Sequence, residues 1–141
     1  MTEFDQAYPI YQRDVTGCAI ASSAWISGKS YADVKEMAIG LGIDITNPSL
    51  WSSTQPLRKI LKALDINAGA KEQDFTSWDQ LPDKALLAIK WHLEKELPHW
   101  HWVVFLRTRE RAIIMDPKKA LKTNIRTDFG RIKPKWYIEL T

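Results

Sequence analysis

An α+β fold is predicted for this chain, with helices in its first half and an antiparallel sheet in its second. Two observations carry that expectation. Apolar residues recur at three- and four-residue spacings as far as Leu64, and in continuous or alternating runs from Ala85 onward. The changeover happens once, so helices are followed by strands rather than alternating with them, which favours segregated layers over a βαβ fold. At 141 residues, 1–141 fits one domain without internal repeat, low-complexity tract or linker. Such a domain buries roughly two-thirds of its unfolded surface and needs no covalent staple.

Residues 1–11 read as an extended lead-in. The first helix is predicted over Cys18–Ile26, closed by Gly28. Ser30 caps a second helix, with Asp33 three residues on in a capping-box arrangement. Tyr31, Val34, Met37, Ala38 and Leu41 form its apolar stripe, and Gly42 ends it. Asn47-Pro48-Ser49 is a loop. Ser53 or Thr54 then starts a third helix, with Pro56 in the first turn and Leu57, Ile60, Leu61 and Leu64 facing inward.

Ile66–Ala70 is expected as a short strand, weakened by Gly69, and Phe75–Pro82 as a loop holding Trp78. The unbroken apolarity of Ala85–Trp91 suits a strand buried on both faces, a helix being the alternative. Trp100–Leu106 and Ala112–Met115 flank the polar turn Arg107–Arg111 as a hairpin. Trp136–Leu140 is the last strand, with Pro134 at its start, where a missing N–H is tolerated.

The net charge of +3 is small, and the basic excess gathers late, in Lys118, Lys119, Lys122, Arg126, Arg131, Lys133 and Lys135. No nucleic-acid-binding motif accompanies it, so a solvated face is expected and no nucleic-acid partner. The N-terminus lacks the basic and apolar regions of a secretory signal. No apolar run approaches the ~20 residues that span a bilayer, so no membrane association is expected. One cysteine forms no intramolecular disulfide, and a free thiol without a signal suits a reducing, cytoplasmic setting. No cofactor is expected, and no feature sets an oligomeric state.

Chemistry concentrates in the stretch from Gln12 to Ser23. Cys18 follows Gly17 at the mouth of the first helix, where unpaired N–H groups and the helix dipole favour a thiolate. Gln12 lies one loop upstream, with an amide able to donate to an oxyanion formed beside the sulfur. Gly17 removes a side chain where a substrate backbone would approach. A single cysteine in an Ala-rich helix is also, often, a small core hydrophobe. Of the three histidines, His101 opens the strand His-Trp-Val-Val-Phe and shares its alternation with Val103 and Phe105. The short hairpin returns Asp116 beside that strand, so Asp116 is placed to orient the His101 imidazole. His99 has the same parity and is the rival base. A metal site from His99, His101 and Asp116 is a further alternative, but its spacing matches no common zinc motif.

In Gln12, in Gly-Cys-Ala-Ile-Ala-Ser from Gly17, in His-Trp-Val-Val-Phe at 101–105 and in Ile-Met-Asp-Pro at 114–117, the sequence resembles the papain-like cysteine peptidases. Among them it is most similar to the compact bacteriocin-processing, or double-glycine, type of bacteria. The resemblance implies a papain-like fold with N-terminal helices packed on a C-terminal antiparallel sheet. It implies Cys18 as nucleophile, His101 as general acid and base, Asp116 as orienter and Gln12 as oxyanion donor, acting on a peptide or protein. Gly17 and Trp102 would face the substrate, with Trp51 and Trp100 as further cleft candidates; a core role is open for each tryptophan. Leader-trimming members are often fused to a transporter, so the trimming role does not follow from the match. The same fold serves isopeptidases, acyl transfer, toxins and effectors, and, with a blocked groove, binding modules.

Overall fold

The computed structural model describes residues 9–14, 16–47, 53–118 and 123–141. The cleft candidate Trp51, Pro48 and Ser49 of the expected loop, most of the lead-in, and Lys119 and Lys122 lie outside these residues.

Helix α1 (Cys18–Ser27) is buried from Cys18 through Trp25. A helix enclosed on all sides needs no polar face, which is why alanines and serines surround its Ile20 and Trp25. Gly28 closes it at φ 77°, in the left-handed conformation expected of a glycine stop. In α2 (Tyr31–Gly40), the Ser30 hydroxyl accepts the Asp33 N–H at 3.1 Å, and Tyr31, Val34 and Ala38 face the core. In α3 (Gln55–Ala63), Leu57, Ile60 and Leu61 turn inward. Thr54 occupies its cap position without a side-chain cap bond, while the Ser53 hydroxyl accepts the Gln55 N–H at 3.2 Å.

Among the described residues six strands follow: β1 (Gln73–Asp74), β2 (Lys84–Glu94), β3 (Leu97–Arg107), β4 (Ala112–Met115), β5 (Ile125–Arg126) and β6 (Pro134–Glu139). They form one antiparallel sheet in the order β1-β6-β2-β3-β4-β5. Ile66–Ala70 is not the expected strand; it contributes only a bridge from Ala68 to Leu140. The β2–β3 hairpin is longer than its apolar part foretold. It turns at Lys95–Glu96, with φ of 51° and 67°, where charged residues stand in place of the Asn or Gly such turns favour. Within it Ile89 pairs with His101 and His92 with His99, so Lys90 and Trp91 bulge opposite Trp100.

Both faces of the sheet are covered. Leu86, Trp102, Val104 and Met115 pack with Trp25 and Leu61 of the helical layer. Ala85, Leu87, Val103, Phe105 and Ile114 pack on the other side against Leu81 and Ile132, with Trp78 and Phe129 beside them. Double coverage explains why Ala85–Ile89 is apolar at every position rather than at alternate ones. A third cluster, Ile20, Ala24, Val34, Ala38 and Ile60, joins the helices to one another.

Candidate active site

Two chain segments that are distant in sequence meet at the start of α1. The Gln12 N–H donates to the Pro117 carbonyl at 2.9 Å, tying the loop before Cys18 to the residue after Asp116. Asp14 then anchors the loop to α2. Its carboxylate accepts the Tyr31 hydroxyl at 2.7 Å and pairs with Lys35 at 3.2 Å. Burial, and then the Asp14 hydrogen bond, push the Tyr31 phenol up to about 12, so it stays a donor.

The same clamp explains Gly17 differently from its expected role. A Cβ on Gly17 would run into the Tyr31 hydroxyl and crowd the Asp14 carbonyl. The missing side chain makes room for the protein's own tyrosine. Cys18, the first residue of α1, follows directly as a free thiol with 3% of its surface exposed.

Across from Cys18 stands His101. The β4 ladder pairs with β3 only over Val104–Arg107, so His101 lies on the part of β3 that β4 does not flank. Its Nε2–H donates to Asp116 Oδ1 at 2.7 Å, leaving Nδ1 as the nitrogen free to serve the Cys18 sulfur. Burial alone would depress this imidazole. The hydrogen bond to Asp116 and the Cys18 sulfur beside it outweigh burial and raise its pKa to about 9.

Asp116 is wholly enclosed and fully engaged. Oδ1 also accepts the Lys118 N–H at 3.0 Å, and Oδ2 accepts Arg126 Nη1 at 2.9 Å. Although burial opposes it, this set holds the Asp116 carboxyl below its ordinary range, with the His101 hydrogen bond first among the favourable causes. Asn124 fixes the backbone on either side, its Nδ2 donating to the carbonyls of Asp116 at 2.6 Å and Lys118 at 2.8 Å. Arg126 is held in turn by Asp128, with Nε to Oδ1 at 2.9 Å and Nη2 to Oδ2 at 2.7 Å. A charged chain therefore runs from His101 through Asp116 and Arg126 to Asp128. Arg126 and Asn124 were not singled out from the sequence. The only signal was the Arg-x-Asp spacing, hidden in a stretch that read as a solvated basic face.

The structure thus brings Cys18, His101 and Asp116 together, with Gln12 in the adjoining loop. The Gln12 Nε2 donates to the Asp14 carbonyl at 3.1 Å, which fixes the side chain within its own loop. His99 stands elsewhere. It stacks on His92 with ring centroids 5.8 Å apart, and its Nε2 lies 3.7 Å from Glu94. Among the described residues no group of three or more His, Cys, Asp or Glu side chains is arranged to hold a metal.

Trp102 is corrected as well. It is 1% exposed, in edge-to-face contact with Trp100 and Trp136 at 5.8 and 5.4 Å, and fills the core between sheet and helices. The alternation of β3 dictates this, because Trp102 shares a face with Val104 and Leu106. Trp100, next to His101, borders a cavity of about 410 Å3 with Trp91, Pro98 and Trp136.

No family model matches the sequence, and no curated protein matches it. Solved structures do. The peptidase domain of Streptococcus ComA, a bi-functional ABC transporter involved in quorum sensing, superposes with a TM-score of 0.62 at 17% identity, over 93% of this chain and 95% of that one. A double glycine motif protease from an AMS/PCAT transporter, in complex with its leader peptide, gives 0.59 at 16% identity, over 94% and 89%. The fold is that of a papain-like peptidase domain. Among the described residues, no helix is long and apolar enough to cross a membrane.

Proposed function

We propose that the protein is a papain-like cysteine hydrolase that cleaves a peptide or isopeptide bond through a Cys18 thioester. The observation that carries this reading is the His101 imidazole, bonded to a fully buried Asp116 on one side and meeting Cys18 at a helix N-terminus on the other. Likeness to peptidase domains, one of them holding a leader peptide, supports a peptide or protein as substrate.

In this mechanism the Cys18 thiolate attacks the carbonyl carbon, and the C=O pair moves onto oxygen. The Cys18 N–H and the Gln12 amide stabilise that oxyanion. His101 Nδ1–H gives its proton to the amine as the C–N bond breaks, leaving the acyl group on sulfur. The neutral imidazole then takes a proton from water, the resulting hydroxide attacks the thioester, and the thiolate departs. Asp116 holds the imidazole in the tautomer and orientation this requires.

The 3% exposure of Cys18 favours one second reading, a binding module whose groove is closed over the thiol. Alkylation by iodoacetamide from about pH 4 to about pH 9 separates the two. A working pair keeps Cys18 reactive on the acidic side of that range, and His101→Ala removes the acid-side reactivity. His101→Ala abolishes turnover of a peptidyl substrate, whereas His99→Ala retains most of it. Gln12→Ala leaves alkylation unchanged but slows amide hydrolysis by roughly 10²–10³, because displacing iodide forms no oxyanion. A thiol that alkylates only above pH 8, or only after unfolding, is a buried structural one, which overturns the catalytic reading and leaves the closed-groove module standing.

A further inference from the structure

Behind the Asp116 carboxylate lies a cavity of about 400 Å3 whose walls include Lys90, Arg126, Arg131, Lys133, Lys135 and Trp91. Five cations line it, and no carboxylate is among the described residues that do. The acids nearby are already engaged, since Arg126 takes Oδ2 of Asp116 and both oxygens of Asp128. Lys90, Arg131, Lys133 and Lys135 are exposed, and the fold gathers them with the half-buried Arg126 around one recess. The β2 bulge presents Lys90, in a left-handed backbone conformation at φ 56°, together with Trp91. Bulges re-aim side chains in this way, and a bulky residue adopts that conformation only when its surroundings impose it. The Lys135 ammonium lies over the Trp91 ring, 4.3 Å from its centroid. Only 14% of the Arg126 side chain is exposed. Burial, and then the neighbouring Lys118, draw the Lys90 ammonium below the ordinary lysine range.

We propose that this cavity binds a small anion of the polyphosphate class. Like charges on the walls of a recess focus the field and concentrate counter-ions there. The volume suits a small molecule, and ammonium and guanidinium groups are the partners phosphate oxygens take. With Arg126 already held by Asp116 and Asp128, the four remaining cations still exceed what one carboxylate or one chloride neutralises. Arg126 is shared between this cavity and the Asp116 pair, so an occupant competes for its guanidinium and leaves more of the Asp116 charge to His101. This coupling rests on the function proposed above; the binding itself does not.

Calorimetric titration of the whole protein with orthophosphate, pyrophosphate and tripolyphosphate, at one ionic strength set by KCl, tests the proposal. Expected is one site per chain, tightening at least about tenfold from orthophosphate to tripolyphosphate. The Arg131→Ala/Lys133→Ala variant, and separately Lys135→Gln, should weaken tripolyphosphate binding about tenfold or more while keeping the wild-type circular dichroism and melting temperature. Vesicles of phosphatidylcholine with and without a polyphosphoinositide distinguish a lipid headgroup from a free ligand, and selective binding to either source supports the site. Heat no larger than that of matched sulfate, or binding undiminished in both variants, overturns it. So does a single-stranded oligonucleotide that binds more tightly than tripolyphosphate, since the face would then serve nucleic acid. Tripolyphosphate should also shift the pH profile of Cys18 alkylation in the wild type but not in the double variant. Binding with an unmoved profile overturns the coupling alone. If Cys18 proves inert at every pH, the catalytic reading fails while the calorimetry still decides the site.

Discussion

Asp116 is the residue on which the site turns, because a carboxylate this enclosed survives only when every oxygen has a partner. Arg126→Ala removes the partner of Oδ2 and should cost about 3 kcal/mol, read from urea unfolding, since it strands a buried charge. Arg126→Lys should recover little of that, as one ammonium cannot reach both Asp116 and Asp128 in the guanidinium's fork geometry. The His101–Asp116 pair also fixes how stability varies with pH. The His101 pKa is raised from 6.5 to about 9, so its stabilisation is complete below pH 6.5 and is lost as pH rises through about 9. Asp116 is shifted downward from 3.8, so its contribution is present above that value and is lost as pH falls below it. The urea midpoint of the wild type should therefore decline between about pH 6.5 and pH 9.5, and His101→Asn should flatten that decline. A wild-type midpoint constant over the range would show that the pair does not hold a proton as described.

Single elements show what local sequence conveys and what it conceals. The stops of α1 and α2 were legible because a left-handed stop needs glycine, and Gly28 and Gly42 sit at φ 77° and 82°. The Lys95–Glu96 turn was not legible, because the hairpin forms through its long ladder in spite of its turn residues. Replacing Lys95–Glu96 by Asn-Gly should remove that left-handed strain and raise stability by about 1 kcal/mol, measured as a higher melting temperature. Gly17 misled in the opposite way. Its neighbour Cys18 suggested room for a substrate, whereas the nearby Tyr31 is fourteen residues on in the chain and invisible to local pattern. Gly17→Ala should destabilise by about 1–3 kcal/mol through overpacking. Adding Tyr31→Phe should return part of that loss, an interaction a double-mutant cycle reads directly. Additive losses would show that the two residues do not compete for space.

At the scale of the molecule, the order of helices and sheet was legible from the single change of period; hairpin length set Asp116 beside His101, and only the family resemblance joined Cys18 to them. What stayed hidden depended on long-range closure. Arg126 looked solvated because nothing local announces a buried carboxylate ten residues upstream. Trp102 looked available because the covering helical layer is built from residues before Leu64. The breadth of the sheet has a last consequence. Its outermost strands, β1 and β5, are two residues long, while the inner β2 and β3 reach eleven. A second molecule seeking to extend the ladder meets a foothold of two residues on either flank, one of them occupied by the charged Asp74. Fibrillar stacking needs an open segment of about six residues. At β1 and β5 the sheet therefore offers no template of that length, and polymers that add a strand to either of these two flanks should not form.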